Sequence, residues 1–98
     1  MPFPPGGSTD TLARSVGAKM QEKLGQTVVV DNRPGAGSNI AAEMAAKAPA
    51  DGHHLLLSSG SHSLAPSIYP KLGYDLMRDF AHITQLVDAP MVLVANAQ

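Results

Sequence analysis

Residues 4–10, with the sequence PPGGSTD, place two glycines, two hydroxyl groups and a carboxylate at the start of a predicted helix. Glycine lets a backbone approach a bound molecule closely, and a helix start offers unpaired N–H groups with a partial positive charge. With the hydroxyls of Ser8 and Thr9, this segment could hold a carboxylate or a phosphate. It could equally do no more than cap the helix and turn the chain. Asp10 would repel an anion, so we expect it to brace the loop through backbone N–H groups.

Two further polar loops carry residues of the same types. Residues 32–39 end in amides that could form a second anion-accepting helix start, and residues 59–63 follow a predicted strand. Ligands of open α/β sheets bind outside the carboxyl ends of the strands, so we expect these loops and residues 4–10 to converge. Three ordinary polar loops are the alternative. The predicted ligand-binding residues are Phe3, Pro5, Gly6, Gly7, Ser8, Thr9, Asp10, Ser38, Asn39, Ser59, Gly60 and Ser61.

Patterns for catalysis, metals and cofactors are weak or absent. The glycine spacing before the first helix does not fit a phosphate-binding P-loop, and the glycines from Gly35 onward lack the third glycine of a dinucleotide fingerprint. Cysteine is absent, and the four histidines lack ligand spacing, so they are expected to be exposed or structural. No serine has the glycine pattern of a nucleophile elbow. We predict no catalytic residue, no metal and no cofactor, with a small α/β enzyme as the rival interpretation.

The composition indicates a globular chain of one domain or part of one. The 98 residues carry seven Lys plus Arg and eight Asp plus Glu, and 44% are hydrophobic. A formal charge of -1 argues against nucleic-acid binding, which needs a basic excess. No apolar run approaches the roughly 18 residues of a membrane span.

Apolar spacing predicts two clear helices. Leu12, Val16, Met20 and Leu24 recur every four residues, which predicts a helix of about four turns capped by Ser8, Thr9 or Asp10 and ended by Gly25. A second helix begins at Ser38 or Asn39 and ends in the turn at residues 49–52. A short helix over residues 64–69 and one helical turn over residues 76–80 complete the helical prediction.

Four apolar runs are predicted strands: residues 28–30, 54–58, 81–87 and 91–95. The first run is continuous, which is typical of a strand buried on both faces. Alternating helices and strands predict an α/β layer structure with a mostly parallel sheet flanked by helices. The strand expected before the first helix is missing, and so is a closing helix. We therefore expect an incomplete lobe whose open sheet edges favour homo-oligomers.

A series of motifs resembles the Bug-type receptors, the extracytoplasmic substrate-binding proteins of tripartite tricarboxylate transporters. They cover most of the chain in family-like order. These motifs are PFPPGGSTD at residues 2–10, LGQ at 24–26, VVV at 28–30, NRPGAGSN at 32–39, APADG at 48–52, YPKL at 69–72, YD at 74–75 and DF at 79–80.

The resemblance implies a two-lobed periplasmic receptor that closes on its ligand, with residues 1–98 forming part of the first lobe. The second lobe and the C-terminal return segment would be absent. It also implies a small carboxylate ligand held by loop amides and hydroxyls, partnership with the transporter's membrane components, and no enzymatic activity. Ser38 stands where the family usually has glycine, and His53 and His54 replace a Tyr-Thr-type pair. An inactive structural fragment is the alternative.

Overall fold

Three helices organise the chain in the computed structural model, which describes residues 2–97. They are α1 (Ser8–Leu24), α2 (Asn39–Lys47) and α3 (Gly60–Ile68), and a short 3-10 turn (Ala36–Ser38) leads into α2. Met1 and Gln98, the ends of the predicted 1–98 unit, lie outside the described range. No helix in this range is long and apolar enough to cross a membrane.

The molecule is elongated, with extents of 56 × 29 × 21 Å and a radius of gyration of 15.1 Å. A compact domain of this length has a radius of gyration of about 13 Å. Much of the chain after α3 is exposed and lies outside helices and strands. The helices, and the loops that lead into them, therefore lie within residues 2–68.

The first helix spans the predicted residues. Gly25 ends it with φ 67° and donates its N–H to the carbonyl oxygen of Gln21 at 3.0 Å, as expected for a glycine cap. The capping prediction at the other end was wrong, because Gly7 and not a polar side chain occupies the N-cap. Both the N–H and the hydroxyl of Thr11 donate to the Gly7 carbonyl, at 3.0 and 3.2 Å.

The other two helices differ in how well they were predicted. The predicted start of α2 at Ser38 or Asn39 is confirmed, with Ser38 at the N-cap position. In contrast, α3 begins at Gly60, four residues before the predicted start. Ser59 donates its N–H to Nδ1 of His62 at 3.2 Å, and the N–H of His62 donates to the Ser59 carbonyl at 3.1 Å. This reciprocal cap allows a sequence of Gly, Ser and His to begin a helix.

The predicted sheet does not form among residues 2–97, where no strand is present. Val28 and Val30 pack against the backbone of α1 at Gly17, but Val29 is 80% exposed. The first run is therefore packed on one face only, not on both. The runs at 54–58, 81–87 and 91–95 are irregular and make no ladder hydrogen bonds. A strand is stabilised by a neighbouring backbone, and within the described range none of these runs has one.

The buried apolar residues are few, and most of them lie in or against α2 and α3. In the part of the chain that the structure describes, these are Ala41, Ala42, Ala65 and Tyr74, while Pro2 is fully buried near the N-terminus. The hydroxyl of Tyr74 donates to Oδ1 of the buried Asn39 at 2.6 Å, and burial raises the pKa of this hydroxyl. The Tyr74 ring meets the edge of Phe80 at 6.4 Å. The segment after α3 is thereby fastened to the start of α2.

The substitution Tyr74→Phe is expected to lower the free energy of unfolding by about 1–2 kcal/mol, because it leaves a buried amide oxygen of Asn39 without its donor. Urea unfolding followed by circular dichroism measures this loss. Tyr69→Phe, at a more exposed tyrosine, is the matched control and is expected to change stability by less than about 0.5 kcal/mol. Equal losses in the two variants would contradict the role of the Tyr74 hydroxyl.

Candidate functional site

Asp10 holds the double-glycine loop in place from the first turn of α1. Its carboxylate accepts the N–H of Gly6 at 2.9 Å, Nε of Arg14 at 3.1 Å and Nδ2 of Asn32 at 3.2 Å, and the residue is 5% exposed. Gly6 has φ 90°, a backbone conformation that favours glycine. The N–H of Gly6 lowers the pKa of Asp10, and Arg14 lowers it further. An ionised carboxylate therefore braces the loop.

Acid is expected to release this brace. Because the pKa of Asp10 is lower in the folded chain than its ordinary value of 3.8, its contribution to stability is complete above about pH 4 and is lost as the pH falls through the folded pKa. The amide chemical shift of Gly6, followed by NMR during acid titration, is expected to change with a midpoint below 3.8. In Asp10→Asn this transition is expected to vanish. A midpoint at or above the ordinary value would contradict the brace.

Asn32 joins the first loop to the second. Its Nδ2 donates both to Asp10 and to the carbonyl oxygen of Phe3, the latter at 3.1 Å, and its Oδ1 lies 3.4 Å from a guanidinium nitrogen of Arg14. Neither Asn32 nor Arg14 was among the predicted site residues. Arg14 stands four residues after Asp10 on a helix, a spacing that places the two side chains side by side. That spacing was the signal available in the sequence.

His62 joins the third loop to the other two. It is 1% exposed, its Nε2 lies 3.2 Å from the carbonyl oxygen of Ser38, and its ring meets that of Phe3 edge-on at 6.5 Å. The histidines were expected to be exposed or structural, and His62 is a buried structural histidine. Through Phe3, Asn32 and His62, the three predicted loops are linked by direct contacts.

The second loop carries an unusual backbone. Gly35, Ala36, Gly37 and Ser38 all have positive φ, at 132°, 47°, 62° and 79°. A side chain on Gly37 would collide with the hydroxyl of Tyr69, so this position requires glycine for space as well as for conformation. The left-handed turn brings the Ser38 carbonyl against His62.

The predicted ligand-binding residues fall into an exposed rim and a buried support. Phe3, Thr9, Ser38 and Ser59 are half-buried, Asp10 and Asn39 are buried, and the hydroxyls of Ser59 and Ser61 lie 2.8 Å apart. Several predicted groups already have protein partners. The N–H of Gly6 donates to Asp10, the N–H of Ser59 donates to His62, and Oδ1 of Asn39 accepts the Tyr74 hydroxyl. The expectation that the amides of Ser38 and Asn39 accept an anion was wrong, because these N–H groups donate to the carbonyl oxygens of Gly35 and Ala36. The exposed rim consists of Pro5, Gly6, Gly7, Ser8, Gly60 and Ser61.

The three linked loops present hydrogen-bond donors and little negative charge. The starts of α1, α2 and α3 lie in the linked loops, and each helix start carries N–H groups and a partial positive charge. Serine and threonine hydroxyls add donors, while the Asp10 carboxylate is turned onto Gly6, Arg14 and Asn32. Within residues 2–97 no group of three His, Asp or Glu side chains could hold a metal ion. Helix starts with glycines and hydroxyls are typical of binding sites for small anions.

Comparison with known proteins identifies the family. The sequence model of the tripartite tricarboxylate transporter family receptor matches residues 12–98, and the chain belongs to this family. The resemblance to Bug-type receptors is thereby confirmed. The family is one of transport receptors and not of enzymes, so the prediction of a non-enzymatic chain is also confirmed.

Curated relatives match the chain along almost its whole length. It is 48% identical over 98 residues to protein BugT of Bordetella pertussis. It is 44% identical over 97 residues to a UPF0065 protein from the tcbD-tcbE intergenic region of Pseudomonas sp. strain P51. The alignments cover 98% and 99% of this chain but only 30% and 29% of those relatives. The chain therefore spans about 30% of the length of the relatives. No solved structure gives a significant match.

Proposed function

We propose that this chain forms part of the first lobe of an extracytoplasmic solute receptor, and that its three linked loops bind small carboxylates such as di- or tricarboxylates. The observation that carries the proposal is the linkage of the three helix starts through Phe3, Asn32 and His62. A carboxylate needs several donors that converge on one place, and linked helix starts supply them without a competing anion.

The proposed donors lie on the first and third loops. The N–H of Gly6 is engaged by Asp10, so the amides of Gly7 and Ser8 take the leading part. The hydroxyls of Ser8, Thr9, Ser59 or Ser61 are the other proposed donors. Phe3 and Pro5 line the proposed pocket. The second loop contributes through the hydroxyl of Ser38, because the N–H and the carbonyl of this residue contact Gly35 and His62. Asn39 supports this loop through its hydrogen bond with Tyr74.

The chain's place in a larger receptor accounts for its exposed apolar segments. Val28 and Val30 cover one face of α1, and Val29 faces away from it with 80% exposure. We propose that this segment and the other extended runs join a mostly parallel sheet of a periplasmic-binding-protein-like lobe. The receptor would act in the periplasm with the membrane components of a tripartite tricarboxylate transporter.

The test of carboxylate binding is an NMR titration of the ¹⁵N-labelled chain with citrate and malate. We expect saturable shifts at the amides of Gly7, Ser8, Gly60 and Ser61, with an affinity weaker than micromolar because much of a two-lobed cleft would lie outside this chain. Glycerol serves as the uncharged control and is expected to move none of them. An absence of saturable shifts at these amides, or shifts confined to the lysines of α1, would favour an inactive structural fragment and refute the proposal.

When residues 1–98 stand alone, without the rest of such a sheet, a second copy of the chain is the proposed partner of these unpaired apolar segments. Residues 91–94, Met-Val-Leu-Val, are all exposed, and Leu93 is 99% exposed. Unpaired extended backbone with apolar side chains favours pairing with another strand. Two copies can satisfy both the backbone groups and the apolar surface, so we propose homo-oligomers formed through these edges.

A further inference from the structure

His62 occupies the point where the three loops of the site meet. Its side chain is almost fully buried, at 1% exposure. One ring nitrogen contacts Ser59 in the third loop, the other contacts Ser38 in the second, and the ring edge meets Phe3 beside the first.

The two hydrogen bonds define the protonation form of this ring. The backbone N–H of Ser59 can only donate, so Nδ1 of His62 must accept and carries no proton. The carbonyl oxygen of Ser38 can only accept, so Nε2 must carry the proton and donate it. The neutral ring with its proton on Nε2 is the form that satisfies both partners at 3.2 Å.

We propose that His62 is a positioning residue for the carboxylate site. In its neutral form with the proton on Nε2, His62 links the start of α3 to the turn at Ser38 and packs against the Phe3 ring. These contacts hold the three loops together, so that donors on separate loops face one ligand. The inference rests on the proposed carboxylate binding. The ligand would contact the loop amides and hydroxyls, while His62 acts through the carbonyl of Ser38 and not on the ligand itself.

Each nitrogen of the ring can be replaced separately. The asparagine of His62→Asn places its oxygen near the position of Nδ1, so it keeps an acceptor for Ser59 and loses the reach to Ser38. Glutamine in His62→Gln reaches the position of Nε2 and keeps a donor for Ser38. His62→Phe keeps the ring against Phe3 and removes both hydrogen bonds. The matched control is His82→Phe, because His82 is exposed and its Nε2 lies 2.9 Å from the carbonyl of Leu76, outside the loops.

The protonation form is tested on the unmodified chain, without any ligand. Two-dimensional ¹H–¹⁵N correlation of the histidine rings near neutral pH is expected to show His62 with a bare Nδ1 and a protonated Nε2. A ring with its proton on Nδ1, or with protons on both nitrogens, would overturn the inference. This readout does not depend on the stability of any variant.

The positioning role is tested by citrate titration of the variants, followed at the amides of Ser8 and Gly60. In the unmodified chain both amides are expected to follow one binding curve. His62→Phe and His62→Asn are expected to raise the dissociation constant about tenfold, the factor for losing a buried hydrogen bond, whereas His62→Gln stays within about threefold and His82→Phe is unchanged. Circular dichroism confirms that the compared variants keep their helices.

Two results separate the failure of this inference from that of the proposed function. If the unmodified chain shows no citrate shifts, carboxylate binding itself fails and the positioning role falls with it. If the unmodified chain binds citrate and His62→Asn binds at least as tightly as His62→Gln, the positioning role alone is overturned. Binding of His62→Phe at the strength of the unmodified chain overturns it as well.

Discussion

Replacement of Asp10 by alanine is expected to weaken citrate binding by about tenfold to a hundredfold, the range for losing hydrogen bonds to a charged group. The carboxylate accepts three donors, and two of them, the N–H of Gly6 and Nδ2 of Asn32, belong to the first and second loops. Without it, the double-glycine loop loses its brace and the loop amides no longer converge. NMR titration with citrate, followed at the Gly7 and Ser8 amides, measures the change.

Charge alone predicts the opposite change in citrate binding for Asp10→Ala. Removal of a negative charge near an anion site would strengthen binding if charge alone mattered. Tighter binding of citrate to Asp10→Ala would therefore show that Asp10 acts as a repulsive charge and not as a brace.

The substitution Asp10→Asn provides the control for the Asp10→Ala variant. The amide oxygen of asparagine keeps one acceptor, for the N–H of Gly6 or for Nδ2 of Asn32, while its amide nitrogen loses the other contact. Asp10→Asn is therefore expected to bind citrate more tightly than Asp10→Ala and more weakly than the unmodified chain. Equal binding of the two variants would contradict a brace formed by hydrogen bonds.

Replacement of Leu93 by lysine is expected to convert a self-associating chain into a monomer of 10.2 kDa. Leu93 lies in the apolar segment 91–94, which pairs with no strand in the described range, and it is 99% exposed. A charge on an edge segment opposes pairing because the charge would lose water when a second strand covers it. Light scattering with size-exclusion chromatography is expected to give at least twice the monomer mass for the unmodified chain and the monomer mass for Leu93→Lys.

Met77→Lys is the matched control for self-association. Met77 is 79% exposed and apolar, but it lies in the turn that Asp75 caps and not in an extended segment. Its substitution is expected to leave the oligomer intact. A monomeric unmodified chain at high concentration, or equal dissociation in both variants, would contradict pairing through the extended edge.

Local signals account for the parts of the fold that the sequence predicted well. The spacing of Leu12, Val16 and Met20 together with Gly25 predicted α1 at its observed bounds. The turn after α3 was also predicted near its observed place, where Asp75 accepts the N–H groups of Met77 and Arg78. Helix starts and turns depend on residues within about four positions, so their causes are visible in a short stretch of sequence.

The start of α3 shows where local reasoning failed. Gly60, Ser61 and His62 are weak helix formers, so the predicted start fell four residues late. The imidazole of His62 accepts the N–H of Ser59 and completes the cap, a role usually filled by other side chains at this position. The buried His62 ring therefore has two roles: it caps α3, and it contacts residues in or beside the three loops.

By itself the sequence determined the extent of α1, the start of α2, the family and the kinds of donor available to a ligand, because each depends on residue types at short spacing. Tertiary structure alone decided that Asp10 accepts the amide of Asn32, that Asn39 accepts the Tyr74 hydroxyl, and that His62 contacts both Ser38 and Phe3. These are contacts between residues 22 to 35 or more positions apart, and a side chain's partner at such a distance is set by packing. The extended segments follow the same rule, since a strand takes its structure from a neighbouring backbone and not from its own residues.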